Sequence, residues 1–292
     1  MYGMLLAEDI EDIIKDFIED MLESWCRANL KDMFSLINDK VASITSDVSM
    51  TPSSYNSDIL DNVKSLSDNV IIPIAGIIIT FVLCYELIHM VMDKNNMHDF
   101  DTSLFFRYLI KAFVGVWFVS NSFDITMAIF DVGNHITSRA GWITGGVIDV
   151  DAEIMELMAR SDLGIGDLLG LGLETMVVKL GMHIMTIIIF IIVHGRMLEI
   201  YLYISVSPIP FATLTNREWG SIGNNYFKGL LALAFQGFFI IVLVSIYTVL
   251  VSNIAIADNV HAAVWSTAGY CILLCFSLLK TSSLSKSIFN AH

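Results

Sequence analysis

Met176–Gly195 reads MVVKLGMHIMTIIIFIIVHG, with Lys179 as its only Asp, Glu, Lys or Arg. A bilayer core about 30 Å thick is crossed by roughly 20 apolar residues at about 1.5 Å rise each. The stretch therefore reads as a membrane-spanning helix, and the fold follows from how many others accompany it. Val70–Met92 (VIIPIAGIIITFVLCYELIHMVM) is a second. Leu104–Ser122 is a third, with Arg107 and Lys111 in its first turns, and Lys228–Ser252 and His261–Lys280 complete a set of about five. The whole chain agrees with this reading. Its 292 residues are 55% hydrophobic and only 16% charged, and the mean hydropathy is +0.68. A soluble domain carries about 25% charged residues. The expected fold is an all-α integral membrane protein, with an extramembrane amphipathic N-terminal helix and a helical outer loop.

Outside the spans the chain is acidic. Net charge is −14, and residues 1–69 hold 14 Asp/Glu against 5 Lys/Arg, or −9. Such a surface repels phosphate and an anionic leaflet alike. Residues 5–44 carry apolar side chains at helical spacing (Leu6, Ile10, Ile13, Phe17, Met21, then Leu30, Met33, Ile37, Val41, Ile44) with acidic residues opposite. This predicts one amphipathic helix or a helical hairpin. Residues 45–69, rich in Ser, Asp and Asn around Pro52, predict a linker or short helices. The start of the chain lacks the basic and apolar regions of a cleavable signal. Cys26, Cys84, Cys271 and Cys275 do not form a secreted disulfide framework, and three of them lie in apolar runs as packing residues.

Met197–Leu214 (MLEIYLYISVSPIPFATL) admits two readings, a sixth span or a helix that leaves the membrane and stops near Ser207 ahead of Pro208. Loop charge favours the second. With five spans and the N-terminus outside, Lys94, Arg107, Lys111, Arg196, Arg217, Lys228, Lys280 and Lys286 are all inside. The outer segment 123–175 then holds only Arg139 and Arg160 among many acids, and Asn253–Val260 holds no base. The domain plan is an acidic helical region and linker over 1–69 and a polytopic membrane domain over 70–285. Its spans are 70–92, 104–122, 176–195, 228–252 and 261–280, with outer loop 123–175 and inner segment 196–227.

After the third span come Arg196-Met-Leu-Glu199, then Ser207-Pro208-Ile-Pro210-Phe-Ala, Arg217-Glu-Trp219 and Tyr226-Phe-Lys228 through Gln236-Gly. With the topology, this resembles the TrbL family, the polytopic inner-membrane subunit of type IV secretion and conjugal transfer machines. It is most similar to versions carried by mobile elements of Gram-positive bacteria, over roughly residues 70–285. The resemblance implies a channel or scaffold subunit in the cell membrane, oligomeric and free of catalytic chemistry. Its implied partners are the inner-membrane platform, the ATPases, outer channel components, the lipid bilayer and, transiently, a DNA–protein substrate. No cofactor is expected.

Candidate residues follow from the cost of burying charge in a span, about 2.5–3.5 kcal/mol on insertion scales. Glu86 lies two-thirds along the first span and requires Arg107 or Lys111 as a counter-charge, or a polar conduit. Gln236 is placed for interhelical hydrogen bonding. Arg196 and Glu199 are spaced to pair at the inner surface. With Pro208, Pro210, Arg217 and Trp219 they form the expected inner-face partner-contact segment. Trp142, Gly141, Gly145 and Gly146 mark a turn-rich outer loop, read either as a contact loop or as an interfacial segment.

Other chemistries are weakly signalled. There is no G-x-x-x-x-G-K-[ST] phosphate loop. Glu86-Leu-Ile-His89 lacks the second copy that a di-metal bundle needs, and His183 and His194 lack a third ligand. Gly164-Ile-Gly166-Asp167 with Phe130-Asp131 resembles the aspartate pair of intramembrane proteases, whose shared proton requires both acids within apolar helices. Asp167 falls instead in an acidic loop. A small-molecule transporter or ion channel is the main alternative, and the odd number of spans and lack of an internal repeat count against it.

Overall fold

The computed structural model describes residues 2–92, 102–141, 158, 163–252 and 259–291. Among them the regular structure is entirely helical. The helices are α1 (Tyr2–Val48), α2 (Pro52–Tyr55), α3 (Ser57–Leu66), α4 (Ile72–Met92), α5 (Thr102–Ser120) and α6 (Ser122–Gly141). After residue 163 come α7 (Ile165–Val206), α8 (Pro208–Thr213), α9 (Gly220–Ser252) and α10 (Val260–Ile288). A π-helical turn, Ser67–Ile71, joins α3 to α4. Trp142, Gly145, Gly146, Lys94, Arg160, most of the acids of the outer loop and residues 253–258 lie outside the described residues.

Four stretches are long and apolar enough to cross a membrane by themselves: Ser57–Met92, Ile165–Val206, Gly220–Val251 and Val260–Ile288. The fifth expected span is different. Phe105–Ser120 qualifies only together with Ser122–Gly141, and the pair is bent by 68°. Neither proline nor glycine sits at the break. At the break the Asn121 side chain and its backbone N–H both donate to the Trp117 carbonyl (2.8 and 3.0 Å), and the Ser122 hydroxyl donates to the Val119 carbonyl (2.9 Å), back-bonds of the kind that often bend helices. The N-terminal region is one continuous helix rather than a hairpin.

The chain divides into two compact units, and α1, α7, α9 and α10 contribute segments to both. The first contains Met1–Ser46, Gly141–Ile192 and Ile241–Leu279. Here α1 runs along α7 in the same direction. Cys26 donates its thiol to the Leu168 carbonyl (3.2 Å), the Trp25 ring lies over Gly172, and Lys179 pairs with Asp32 (2.5 Å). Glu174 on α7 meets His261 on α10 at 2.8 Å. The buried face of α1 is formed by Leu22, Cys26, Leu30, Met33 and Ile44; Leu30, Met33 and Ile44 belong to the stripe expected from spacing, whereas Ile10, Ile13, Phe17 and Met21 of that stripe are exposed.

The second unit contains Asp47–Ala140, Val193–Ile240 and Lys280–His292. Its core joins Phe123 and Phe130 of α6 to Met197, Ile200, Tyr201 and Ile204 of α7 and Leu230, Leu233 and Ala234 of α9. Tyr201 donates to the Pro52 carbonyl (2.6 Å), which fixes the short α2–α3 segment against α7. A smaller core of Ala75, Ile79, Val119 and Ala212 brings α4, α5 and α8 together. Helix α7 ends where the prolines predict. Ser207 stays in the αR region, and the break comes from the missing N–H groups of Pro208 and Pro210. Residues 197–206 thus continue α7, and 208–213 form a separate turn-and-a-half packed on α4 and α5.

Arg196 differs from its expected place. It is 3% exposed, donates to the Val48 carbonyl at 3.3 Å, and rests its guanidinium on Gly237, where a Cβ would lie 2.8 Å from Nη2. Glu199 pairs instead with Lys286 (3.4 Å), so the expected 196–199 ion pair does not form. The cause is steric: Gly237 opens a slot on α9 that admits the guanidinium. Its Nε and Nη2 find no protein partner. A desolvated cation so poorly compensated is costly, and apolar residues of similar volume commonly replace such groups at no loss or a gain of about 1–4 kcal/mol. Arg196→Met is accordingly expected to leave the unfolding temperature of the purified protein unchanged or higher, and Arg196→Glu to lower it.

Candidate partner-contact site

Three elements of the second unit converge on one recess. The last turns of α4 supply Phe81, Tyr85, Glu86 and His89. Helix α5 supplies Tyr108 and Lys111, and the turn between α8 and α9 supplies Asn216, Arg217, Glu218 and Trp219. Phe81, Tyr85 and His89 follow each other at i,i+4, so they stand on one side of α4. Trp219 lies flat against the first two, with centroid separations of 5.3 Å to Phe81 and 5.4 Å to Tyr85 and interplanar angles of 11° and 10°.

Asn216 organises the turn. It is 4% exposed, and its Oδ1 accepts from the backbone N–H groups of Glu218 (2.8 Å) and Trp219 (3.0 Å). Its Nδ2 donates to Glu86 Oε2 at 3.2 Å. The other Glu86 oxygen takes the Lys111 ammonium. The counter-charge expected for Glu86 is therefore Lys111, and a buried amide completes its shell. Tyr85 donates its hydroxyl to Glu218 Oε2 (2.8 Å), and His89 Nε2 stands 3.8 Å from the other Glu218 oxygen. These contacts occupy both residues of the Glu86-x-x-His89 pair.

Two openings flank Glu86 and Met90. One, of about 560 Å³, is lined by Tyr85, Glu86, His89, Asn216, Arg217 and Glu218. The other, also about 560 Å³, is lined by Glu86, Arg107, Tyr108, Ile110 and Lys111. Expected site residues Glu86, Arg107, Lys111, Arg217 and Trp219 thus come together. The others do not. Gln236 donates to Thr281 on α10 (3.4 Å), a helix-to-helix bond as expected. Arg196 is buried elsewhere in the unit, Glu199 is with Lys286, and Pro208 is buried. Tyr85, Asn216 and Glu218 are the site residues that spacing alone missed. The Asn-x-Glu-Trp run after a proline break was the available signal, since Asn side chains organise such turns.

Phe130 is buried, whereas Asp131 and Asp167 are each exposed on α6 and on the first turn of α7. Neither carboxylate has the apolar enclosure that a shared proton requires.

The long apolar helices define a multi-pass helical membrane protein, and ion pairs and aromatic stacking build a polar recess in its second unit. A family model described as TrbL/VirB6 plasmid conjugal transfer like protein matches residues 37–208. The chain belongs to that family, a component of conjugal transfer and type IV secretion systems. The match begins within α1, further toward the N-terminus than the region of resemblance read from the sequence, and ends at Pro208. No curated protein and no solved structure matches the chain.

Proposed function

We propose that this chain is a channel and scaffold subunit of a conjugative type IV secretion system, helping a DNA–protein substrate cross the cell membrane without catalysing a reaction itself. Family membership carries this reading. The recess around Glu86 supports a specific version of it: the 216–219 turn is where another subunit of the inner-membrane platform or an ATPase docks. Arg217 and Glu218 are exposed at the rim, while Asn216 and Trp219 hold the turn rigid from beneath. A rim of charge over a stacked aromatic base is the anatomy of a protein–protein contact.

The test is site-specific photo-cross-linking from position 217 in cells carrying the complete transfer machinery. The expected result is an adduct with a machinery subunit. Trp219→Ala should weaken that adduct and DNA transfer by about tenfold or more, equivalent to ~1.4 kcal/mol, at unchanged protein level in the membrane. Normal transfer by Trp219→Ala, with no adduct from Arg217, would remove this segment from the partner surface.

A further inference from the structure

Within the first unit, α1 is packed at the level of the apolar stretches of three other helices. Leu36, Lys40 and Val41 of α1 line one small recess with Met182, Thr186 and Ile189 of α7, Tyr247 of α9, and Cys271 and Leu274 of α10. Those partners lie well inside membrane-crossing sequence. Cys26–Leu168 and Asp32–Lys179 fix the same parallel register further up.

The outer surfaces at this level are not alike. Helix α7 presents Leu180, Ile184 and Ile187, each more than half exposed; α9 presents Ile246; α10 presents Phe276. These suit lipid. Helix α1 presents Lys31, Asp32, Ser35 and Asp39, all exposed. Over residues 30–44 its apolar side is already consumed by the bundle, with Leu30, Met33 and Ile44 buried. Charged groups at bilayer depth pair with one another, as Asp32 does with Lys179, and face either a bundle interior or a water-filled cavity. The interior is taken by the other side of the helix.

We infer that α1 lies within the bilayer beside α7 and that its Lys31–Asp39 face lines a water-filled conduit. This rests on the bundle geometry and deepens the channel reading by naming the surface that borders the water. The hydropathy pattern hides such a helix because half of it is polar.

The full-length protein in liposomes tests this, in a Cys84→Ser background that leaves only the three buried natural thiols. Single cysteines replace Ser35 or Asp39 on α1 and Ile184 or Ile187 on α7. A charged, membrane-impermeant thiol reagent needs water and a thiolate, so positions 35 and 39 are expected to react at least about tenfold faster than 184 and 187. In the unsubstituted protein, a lipid-soluble diazirine probe is expected to label peptides containing 184–191 and to spare 31–40.

Slow reaction at 35 and 39 would overturn the proposal, because a protein or lipid then covers that face. Fast reaction at 184 and 187, or failure of the diazirine to label α7, would also overturn it, because the bundle would then stand outside the bilayer at this level. Neither result bears on whether Arg217 contacts a transfer subunit, so the two proposals fail separately.

Discussion

Gly133→Leu is expected to detach α6 from α9 and leave a protein that fails to reach its folded state in the membrane. A Cβ at Gly133 would lie 2.8 Å from the Ala234 Cβ and 2.9 Å from the Ala234 carbonyl oxygen. The second of these is backbone and cannot rotate away. Overpacking by even a methyl group costs about 1–3 kcal/mol, so Gly133→Ala is expected to show that loss as a lowered unfolding temperature, and leucine a larger one. Close approach through small residues is a general device for joining helices within lipid. Gly76 and Gly181 give the control, since a Cβ at either meets nothing within 4 Å. Alanine there is expected to be neutral or to gain about 0.5–1 kcal/mol from helix propensity. Thermal unfolding of the purified variants in one detergent separates the outcomes. Equal loss at all three positions would show that the α6–α9 crossing is not the determinant.

The second large effect is expected at Lys111. Removing it leaves Glu86, which is 23% exposed, with only the Asn216 amide for company. Breaking a fully buried pair costs about 3–5 kcal/mol, and partial exposure of both partners reduces this to roughly 1–2 kcal/mol. Glu86→Gln in the same chain removes the stranded charge and retains the acceptor for Asn216. The double variant Lys111→Met/Glu86→Gln is therefore expected to be more stable than Lys111→Met alone. A double-mutant cycle built on unfolding in detergent measures the coupling, expected at about 0.5–3 kcal/mol. Strict additivity would mean that the two side chains act independently.

Much of the fold was legible because lipid imposes one simple demand, a helix of sufficient apolar length. Four helices of crossing length, the stop near Ser207 and the C-terminal half of the apolar face of α1 follow from spacing and proline. The bend between α5 and α6 was not legible, because neither proline nor glycine marks it and composition does not reveal the side-chain bonds of Asn121 and Ser122 back onto the preceding turn. The site was half legible. Burial cost singled out Glu86 and its neighbour Lys111 without any structure. Trp219 could be noticed but not placed, since its stacking partners lie 138 and 134 positions earlier in the chain, at Phe81 and Tyr85. The inward turn of Arg196 depends on a gap left by Gly237 on another helix. A helical-wheel argument for pairing with Glu199 has no access to that gap. The surroundings of α1 were likewise hidden, because an amphipathic stripe announces that one face is covered without naming what covers it.

The π-helical turn at Ser67–Ile71 bears on how this family can change length. A π turn is an α-helix carrying one residue too many, absorbed locally as a widened loop. Losing a single codon there would close the bulge and leave Phe81, Tyr85 and Glu86 facing as they do now. Anywhere else along the 36-residue rod Ser57–Met92 the same deletion would swing every later side chain by about 100°. The turn is thus a slack point in the reading of the helix, where one residue can be lost between the α3 clamp and the recess without disturbing either.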